Sequence, residues 1–139
     1  MQLQTKSSLV EGVDYVARNS TIRSLVSFVL ANRSNKVFRG WSETQINYHI
    51  YNFLEGGGLR YFVDVKTGNI TGIVCAIINP ISKNLYITNI LCTSKDAIRG
   101  FVSIYLTEFP GYTISALRNG EFQTYTSTTK LVRLLYGNH

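Results

Sequence analysis

The period of the hydrophobic pattern changes at one point in this 139-residue chain, the triple glycine Gly56-Gly57-Gly58. Before it, apolar residues recur every three or four positions, which is typical of helices with one buried face. After it, β-branched and aromatic residues follow one another in short runs, which is typical of strands. Glycines also adopt the left-handed conformations that end a helix and turn the chain. The sequence therefore predicts an α/β (α+β) fold in which two helices lead into a sheet.

Two helices are predicted before the glycines. The first covers residues 14–31, where the apolar residues at helical spacing are Ile22, Leu25, Val26, Val29 and Leu30. The second begins at Ser42, because Ser42 and Gln45 form an S-x-x-Q capping box. Trp41 is expected to pack on Ile46 across this cap, as a structural residue.

The elements after the glycines follow from runs of β-branched residues, turn residues and one further helical pattern. They are strands over residues 59–65, 70–78 and 85–92, a helix started by Ser94-Lys95-Asp96, a strand over 112–117, a short helical turn over 121–126 and a last strand over 130–136. The predicted order is ααβββαβαβ, in a single domain that spans residues 1–139. Apolar residues on both faces of 70–78 indicate a central strand with helices on each side.

Composition excludes several classes of protein. Hydrophobic residues make up 45% of the chain and charged residues only 16%, which excludes disorder as the main state. No apolar run approaches the ~20 residues that a membrane-spanning helix needs. Met1 to Lys6 contain no apolar segment typical of a signal peptide, so we expect a cytoplasmic protein.

Cysteine, histidine and charge add weaker constraints. Cys75 and Cys92 lie within apolar runs, without metal-ligand spacing to His49 or His139, and are interpreted as buried thiols; no metal site is predicted. A Cys92 nucleophile is the less favoured interpretation. The net charge of +6 favours an anionic partner, but the basic residues are scattered, so a solvated basic face and a nucleic-acid surface are both open.

The element order and the strand-to-helix junction at residues 92–100 resemble the GCN5-related N-acetyltransferase (GNAT) superfamily. In that family, backbone N–H groups after this strand hold the pyrophosphate of acetyl-CoA, since the unpaired amides and positive dipole of a helix N-terminus bind anions. The family signature Q/R-x-x-G-x-G/A corresponds here to Lys95-Asp96-Ala97-Ile98-Arg99-Gly100. The first and last positions are similar, and Ile98 replaces a glycine. The resemblance implies acetyl-CoA as cofactor and these six residues as the cradle of its pyrophosphate, while an ordinary capped helix explains the segment about equally well. Arg99 is interpreted either as a hydrogen-bond donor to a phosphate or as a solvated helix residue.

The same resemblance assigns further site residues. The strand over 85–92 would diverge from the strand over 112–117, and backbone groups near its end, including Leu91 and Cys92, would hold the thioester arm. Asn119 is placed like a cofactor-binding asparagine of the family, and Tyr125 like a tyrosine that protonates the departing CoA thiolate. This strand pair carries no glutamate to deprotonate an amine. The nearest acidic residues, Asp64 and Glu121, are interpreted as surface carboxylates.

Two functions remain open from the sequence. The first is an acyl-CoA-dependent N-acyltransferase that moves an acetyl group to an amine acceptor by direct attack. The second is a GNAT-like module without catalysis, which binds a protein or nucleic acid. The small size and the richness in Asn, Thr, Ser and Tyr resemble phage proteins, among which GNAT-like members include virion proteins, DNA-base modifiers and inhibitors of host defence.

Overall fold

The protein forms one mixed sheet with helices on both faces. The computed structural model describes residues 3–7, 15–33, 37–64, 67–118 and 121–125, with side chains for 21–33, 37–64, 67–95 and 97–117. The elements are β1 (Leu3–Ser7), α1 (Tyr15–Asn32), α2 (Glu43–Glu55), β2 (Leu59–Asp64), β3 (Ile70–Asn79), β4 (Asn84–Cys92), α3 (Lys95–Glu108), β5 (Thr113–Arg118) and β6 (Glu121–Tyr125). The strands lie in the order of the chain. Neighbouring strands are antiparallel except for β4 and β5, which are parallel and joined by α3. The predicted fold class, a mostly antiparallel mixed sheet flanked by helices, is confirmed.

The start of α2 is the predicted capping box. The Gln45 backbone N–H donates to Ser42 Oγ over 3.2 Å, and the Ser42 N–H donates to Gln45 Oε1 over 2.8 Å. The buried face of α2 consists of Ile46, Ile50 and Leu54. The helix ends at the triple glycine, where Gly57 adopts φ +80° and redirects the chain into β2.

The sheet separates two hydrophobic cores. One lies under α1 and α2 and includes Ile73, Cys75 and Leu91 from the sheet; the other lies under α3 and includes Val74 and Ala76. Because successive side chains of a strand point to opposite faces, β3 contributes alternately to the two cores. The prediction of a central strand covered on both faces is therefore confirmed.

The first element, β1, is absent from the predicted order. It pairs antiparallel with β2 from Leu3↔Asp64 to Ser7↔Arg60. Its sequence, Leu-Gln-Thr-Lys-Ser, has one strongly apolar residue and no alternation. Backbone hydrogen bonds hold this strand to β2 and require no particular side chains. The hydrophobic periodicity of the sequence therefore does not indicate this edge strand.

The short helical turn predicted over residues 121–126 is wrong. Residues Glu121–Tyr125 form β6, which pairs antiparallel with β5 from Ile114↔Tyr125 to Arg118↔Glu121. The last pair leaves two residues, Asn119-Gly120, between the strands, and this dipeptide is a strong signal for a two-residue hairpin. The strand predicted over 130–136 lies outside the described residues. The described order is therefore βααβββαββ rather than ααβββαβαβ.

Candidate functional site

A β-bulge divides β4 into two halves. Cys75 of β3 pairs with Asn89 and Ala76 pairs with Ile87, so Thr88 is an extra residue on β4. The parallel pairing with β5 ends at Ile87↔Ala116. Beyond the bulge, among the described strands, β4 pairs with β3 alone. The edge of residues 88–92 that faces away from β3 is called here the β4 opening.

Backbone groups line the β4 opening. The N–H of Thr93 donates to Thr71 O of β3 over 2.8 Å. Because N–H and C=O groups alternate in direction along a strand, those of Leu91 also face β3, and those of Ile90 and Cys92 face the opening. Where β4 and β5 no longer pair, the N–H and C=O of Cys92 are thus directed away from β3, toward the β4 opening. Leu91 presents its polar groups to β3 and its side chain to the core under α2.

Two residues, Thr93 and Ser94, separate the end of the β4 opening from the start of α3. Ser94 caps it by accepting a hydrogen bond from the Ala97 N–H over 3.1 Å. Within the predicted cradle, the side chains of Lys95 and Arg99 are exposed, whereas those of Ala97 and Ile98 are buried in the core under α3. Ala97 and Ile98 therefore present no side chain to a ligand, and the Ala97 N–H is already donated to Ser94 Oγ. The N–H groups of the first turn have no acceptor within the helix and point out of its positive end.

Two glycines lie near the start of α3, Gly100 in the helix itself and Gly72 in β3. Gly100 is half-buried in the second turn of α3, and Asp96 occupies the second helical position by its backbone. Gly72 of β3 was not singled out by the sequence analysis, although a glycine within a β-branched run signals a close approach. A Cβ at Gly72 would lie 2.9 Å from Cys92 Sγ and 3.0 Å from Ala97 Cβ. The absence of a side chain there lets the start of α3 rest directly on the sheet beside the β4 opening.

The two predicted residues after β5 are only partly placed. Asn119 lies outside the described residues. Tyr125 is the last residue of the strand β6, where its backbone pairs with Ile114. The expected placement of Tyr125 on a short helix is therefore wrong. Its role as an acid stays a prediction.

The structure brings His49 of α2 to the bulge of β4, a contact that the sequence analysis did not predict. His49 Nε2 lies 2.7 Å from Oδ1 of Asn89, the first residue past the bulge. The Thr88 hydroxyl lies 2.9 Å from the same Oδ1 and 3.1 Å from Cys75 O. Since 40 residues separate His49 from Asn89, no local sequence signal indicates the pair.

The ring of His49 packs in an aromatic cluster. Its centroid lies 4.5 Å from that of Phe53, 4.9 Å from that of Trp41 and 6.0 Å from that of Phe38. Burial lowers the pKa of His49 below its usual 6.5, and the hydrogen bond to Asn89 partly opposes this effect. The ring is therefore neutral at pH 7. A neutral ring that donates from Nε2 to Asn89 keeps its lone pair on Nδ1.

Both cysteines are free and buried, as the sequence predicts. Burial raises the pKa of Cys92 to about 12 and raises the pKa of Cys75 further. Since the thiolate is the reactive form, neither residue is a nucleophile at neutral pH.

Elsewhere on the described part of the chain, the structure shows clefts but no group of metal-binding side chains. Two open clefts beside α1 share Arg23 and Ser27, and neither is lined by a residue of the β4 opening. Within the ranges that the structure describes, no group of three His, Cys, Asp or Glu side chains is placed to hold a metal ion. In the same ranges, no helix combines the length and apolar character needed to cross a membrane.

Comparison with known proteins gives a likeness in fold. No protein-family model and no curated protein matches the sequence. A GNAT-family acetyltransferase from Bacillus cereus has a similar structure, with a TM-score of 0.60 and 13% identity over 99% of this chain and 82% of that one. An acetyltransferase from Salmonella typhimurium that modifies the N-terminal serine of a 50S ribosomal protein gives a TM-score of 0.52 and 13% identity, over 99% and 79%. The divided strand, the helix at its end and these likenesses together show that the chain has a GNAT-like fold.

Proposed function

We propose that the protein is an acyl-CoA-dependent N-acyltransferase that moves an acetyl group from acetyl-CoA to an amine. The observation that supports this most is the position of the β4 opening, which leads directly to the N-terminus of α3. An extended chain that hydrogen-bonds to Cys92 along the opening would place an anionic group at its end against the first turn of α3. Acetyl-CoA has these parts, because a long hydrogen-bonding arm joins its thioester to its anionic pyrophosphate.

The donor groups present fit such a cofactor. The first-turn N–H groups of α3 and its positive dipole end would face the pyrophosphate, and the exposed Lys95 and Arg99 add positive charge nearby. Gly72 keeps this cradle close to the sheet. Ile98 does not obstruct it, because the side chain that replaces the family's glycine points into the core, where it is 1% exposed.

Direct transfer needs two further functions from the chain. Bound acetyl-CoA would supply an activated thioester carbonyl at the β4 opening. The chain has to accept the proton that the amine loses and to supply a proton to the departing sulfur. Tyr125 is the residue predicted to give a proton to the sulfur. The proposed acceptor is an amine.

Cofactor binding is the first property to test. A ligand at 100 times its dissociation constant stabilises the folded state by ~2.7 kcal/mol, which for a chain of this size raises the melting temperature by roughly 8 °C. We expect this rise with millimolar acetyl-CoA, and binding of CoA in calorimetry. No stabilisation and no heat of binding would contradict the proposal and favour a GNAT-like module that binds another partner.

A pair of substitutions at Gly100 tests the position of the cofactor. Gly100→Trp would project a large ring from the second turn of α3 into the cradle, and we expect CoA binding to be lost in a folded protein. Gly100→Ala is the matched control, since alanine retains the small size found in the family signature and favours the helix by ~0.5–1 kcal/mol. Equal CoA affinity in both folded variants would show that the cofactor does not bind at α3.

A further inference from the structure

We propose that His49 accepts the proton of the attacking amine and that Asn89 holds its ring in position for this role. The inference rests on the proposed function and names a residue that the acyl transfer requires. It starts from a hydrogen bond between α2 and β4 at the bulge where the β4 opening begins.

The proposed pyrophosphate cradle and His49 lie on different faces of the sheet. Asn89 pairs with Cys75, and directly paired residues project their side chains to the same face. Cys75 belongs to the core under α1 and α2, whereas Cys92 belongs to the core under α3. Asn89 and His49 therefore lie on the face opposite the proposed pyrophosphate cradle.

The placement of the cradle and His49 on opposite faces defines the side from which the amine would attack. A thioester arm whose pyrophosphate is held at α3 would pass through the β4 opening and present its carbonyl near the bulge. The amine would then approach from the side of the sheet that carries α2. His49 lies on that side, next to the first residue past the bulge, and the proposal assigns the proton transfer to the Nδ1 lone pair that the Asn89 contact leaves unused.

The chemistry of the ring suits this step. As the amine nitrogen bonds to the carbonyl carbon and the carbon–sulfur bond breaks, the amine proton moves to His49 Nδ1 and the predicted acid Tyr125 gives its proton to the CoA sulfur. Transfer of the His49 proton through solvent to the Tyr125 phenolate then restores both groups. The ring must be neutral beforehand. Among the described residues, its hydrogen-bond and ring contacts are Phe38, Trp41, Phe53 and Asn89, none of which is charged. The Asn89 carboxamide orients the ring without making it a cation at pH 7.

A reactive cofactor analogue tests the position of the ring without requiring the natural acceptor. S-bromoacetyl-CoA carries a leaving group on the acetyl carbon, and a neutral imidazole beside it displaces bromide to form a carbon–nitrogen bond. We expect one bromoacetyl-CoA to modify each protein chain at His49, as mapped by peptide mass spectrometry. Because the bound analogue is held next to the ring, the reaction at His49 should be more than about tenfold faster than that at His139. Excess CoA should suppress it.

The variant His49→Gln separates failure of this inference from failure of the proposed function. We expect it to bind CoA with unchanged affinity in calorimetry and to lose the specific modification. If the wild-type protein binds CoA but the analogue leaves His49 unmodified, or modifies it no faster than His139, the role of His49 is overturned and the cofactor site remains. If the wild-type protein binds no CoA, both proposals fail.

Asn89→Asp tests Asn89 as a positioning residue. A carboxylate at 2.7 Å favours the protonated ring and raises the pKa of His49. We expect the midpoint of the pH profile for alkylation to rise by about 1 pH unit or more, with CoA affinity unchanged. Asn89→Leu should leave the ring neutral but slow the alkylation. Unchanged profiles and rates in both variants would show that Asn89 does not position His49.

Discussion

Gly72 decides how closely α3 approaches the sheet. The Cβ of any other residue would lie within 3.1 Å of Cys92 Sγ, Ala97 Cβ and Phe62 Cδ2 at once. These atoms belong to β4, α3 and β2, so none of the three elements can retreat without disturbing the others. The same packing sets the distance between the start of α3 and the end of the β4 opening.

The substitution Gly72→Ala is therefore expected to destabilise the protein by about 1–3 kcal/mol, because the added methyl overpacks a closed junction. Urea unfolding monitored by circular dichroism measures the change. Gly100→Ala, the same substitution within α3, is expected to have the opposite sign. A second test combines Gly72→Ala with Cys92→Ala, which removes the nearest atom. The combined cost should be smaller than the sum of the two, and strict additivity would contradict the proposed clash.

At the scale of elements, the sequence correctly predicts helix ends that are defined by neighbouring residues. The Ser42 and Gln45 capping box and the glycines after Leu54 define both ends of α2 within the sequence itself. Strands lack such signals when backbone pairing alone holds them, as in β1. In β6, the Asn119-Gly120 dipeptide was available as a hairpin signal and favours the observed strand over the predicted helical turn.

Loss of the cap provides the prediction at this scale. Ser42→Ala removes the acceptor of the Gln45 N–H and is expected to lower the free energy of unfolding by about 1 kcal/mol. Ser82→Ala, in the exposed turn between β3 and β4, is the matched control and should change stability by less than about 0.5 kcal/mol. Equal stability of the two variants in urea unfolding would show that the capping box does not stabilise α2.

At the scale of the whole molecule, folding brings His49 of α2 against β4 of the sheet. The sequence indicated no partner for His49, since neither cysteine has metal-ligand spacing to it. The tertiary structure instead joins the ring to Asn89. Burial against three aromatic rings then changes its acid strength, so the residue links the pH of the solution to the stability of the whole fold.

The direction of this linkage follows from the lowered pKa. The unfolded chain protonates His49 near pH 6.5, whereas the folded protein does so only at lower pH. The contribution of neutral His49 is complete above about pH 6.5 and is lost as the pH falls through that value toward the folded pKa. We expect the free energy of unfolding to decrease from pH 7.5 to about 5.5, and His49→Gln to flatten this slope. Tyr48→Phe, on the exposed side of α2, should retain the wild-type slope; equal slopes in all three proteins would contradict the linkage.

The sequence by itself determined the two helices, the strands from Leu59 to Cys92, the capped start of α3 and the burial of both thiols. Each of these depends on neighbours within a few positions or on hydrophobicity, which a linear pattern records. Only the tertiary structure decided the divided edge of β4, the contact of Gly72 with α3 and the pair of His49 and Asn89. These features join residues that are about 10 to 40 positions apart, and such contacts arise from the packing of whole elements rather than from local sequence.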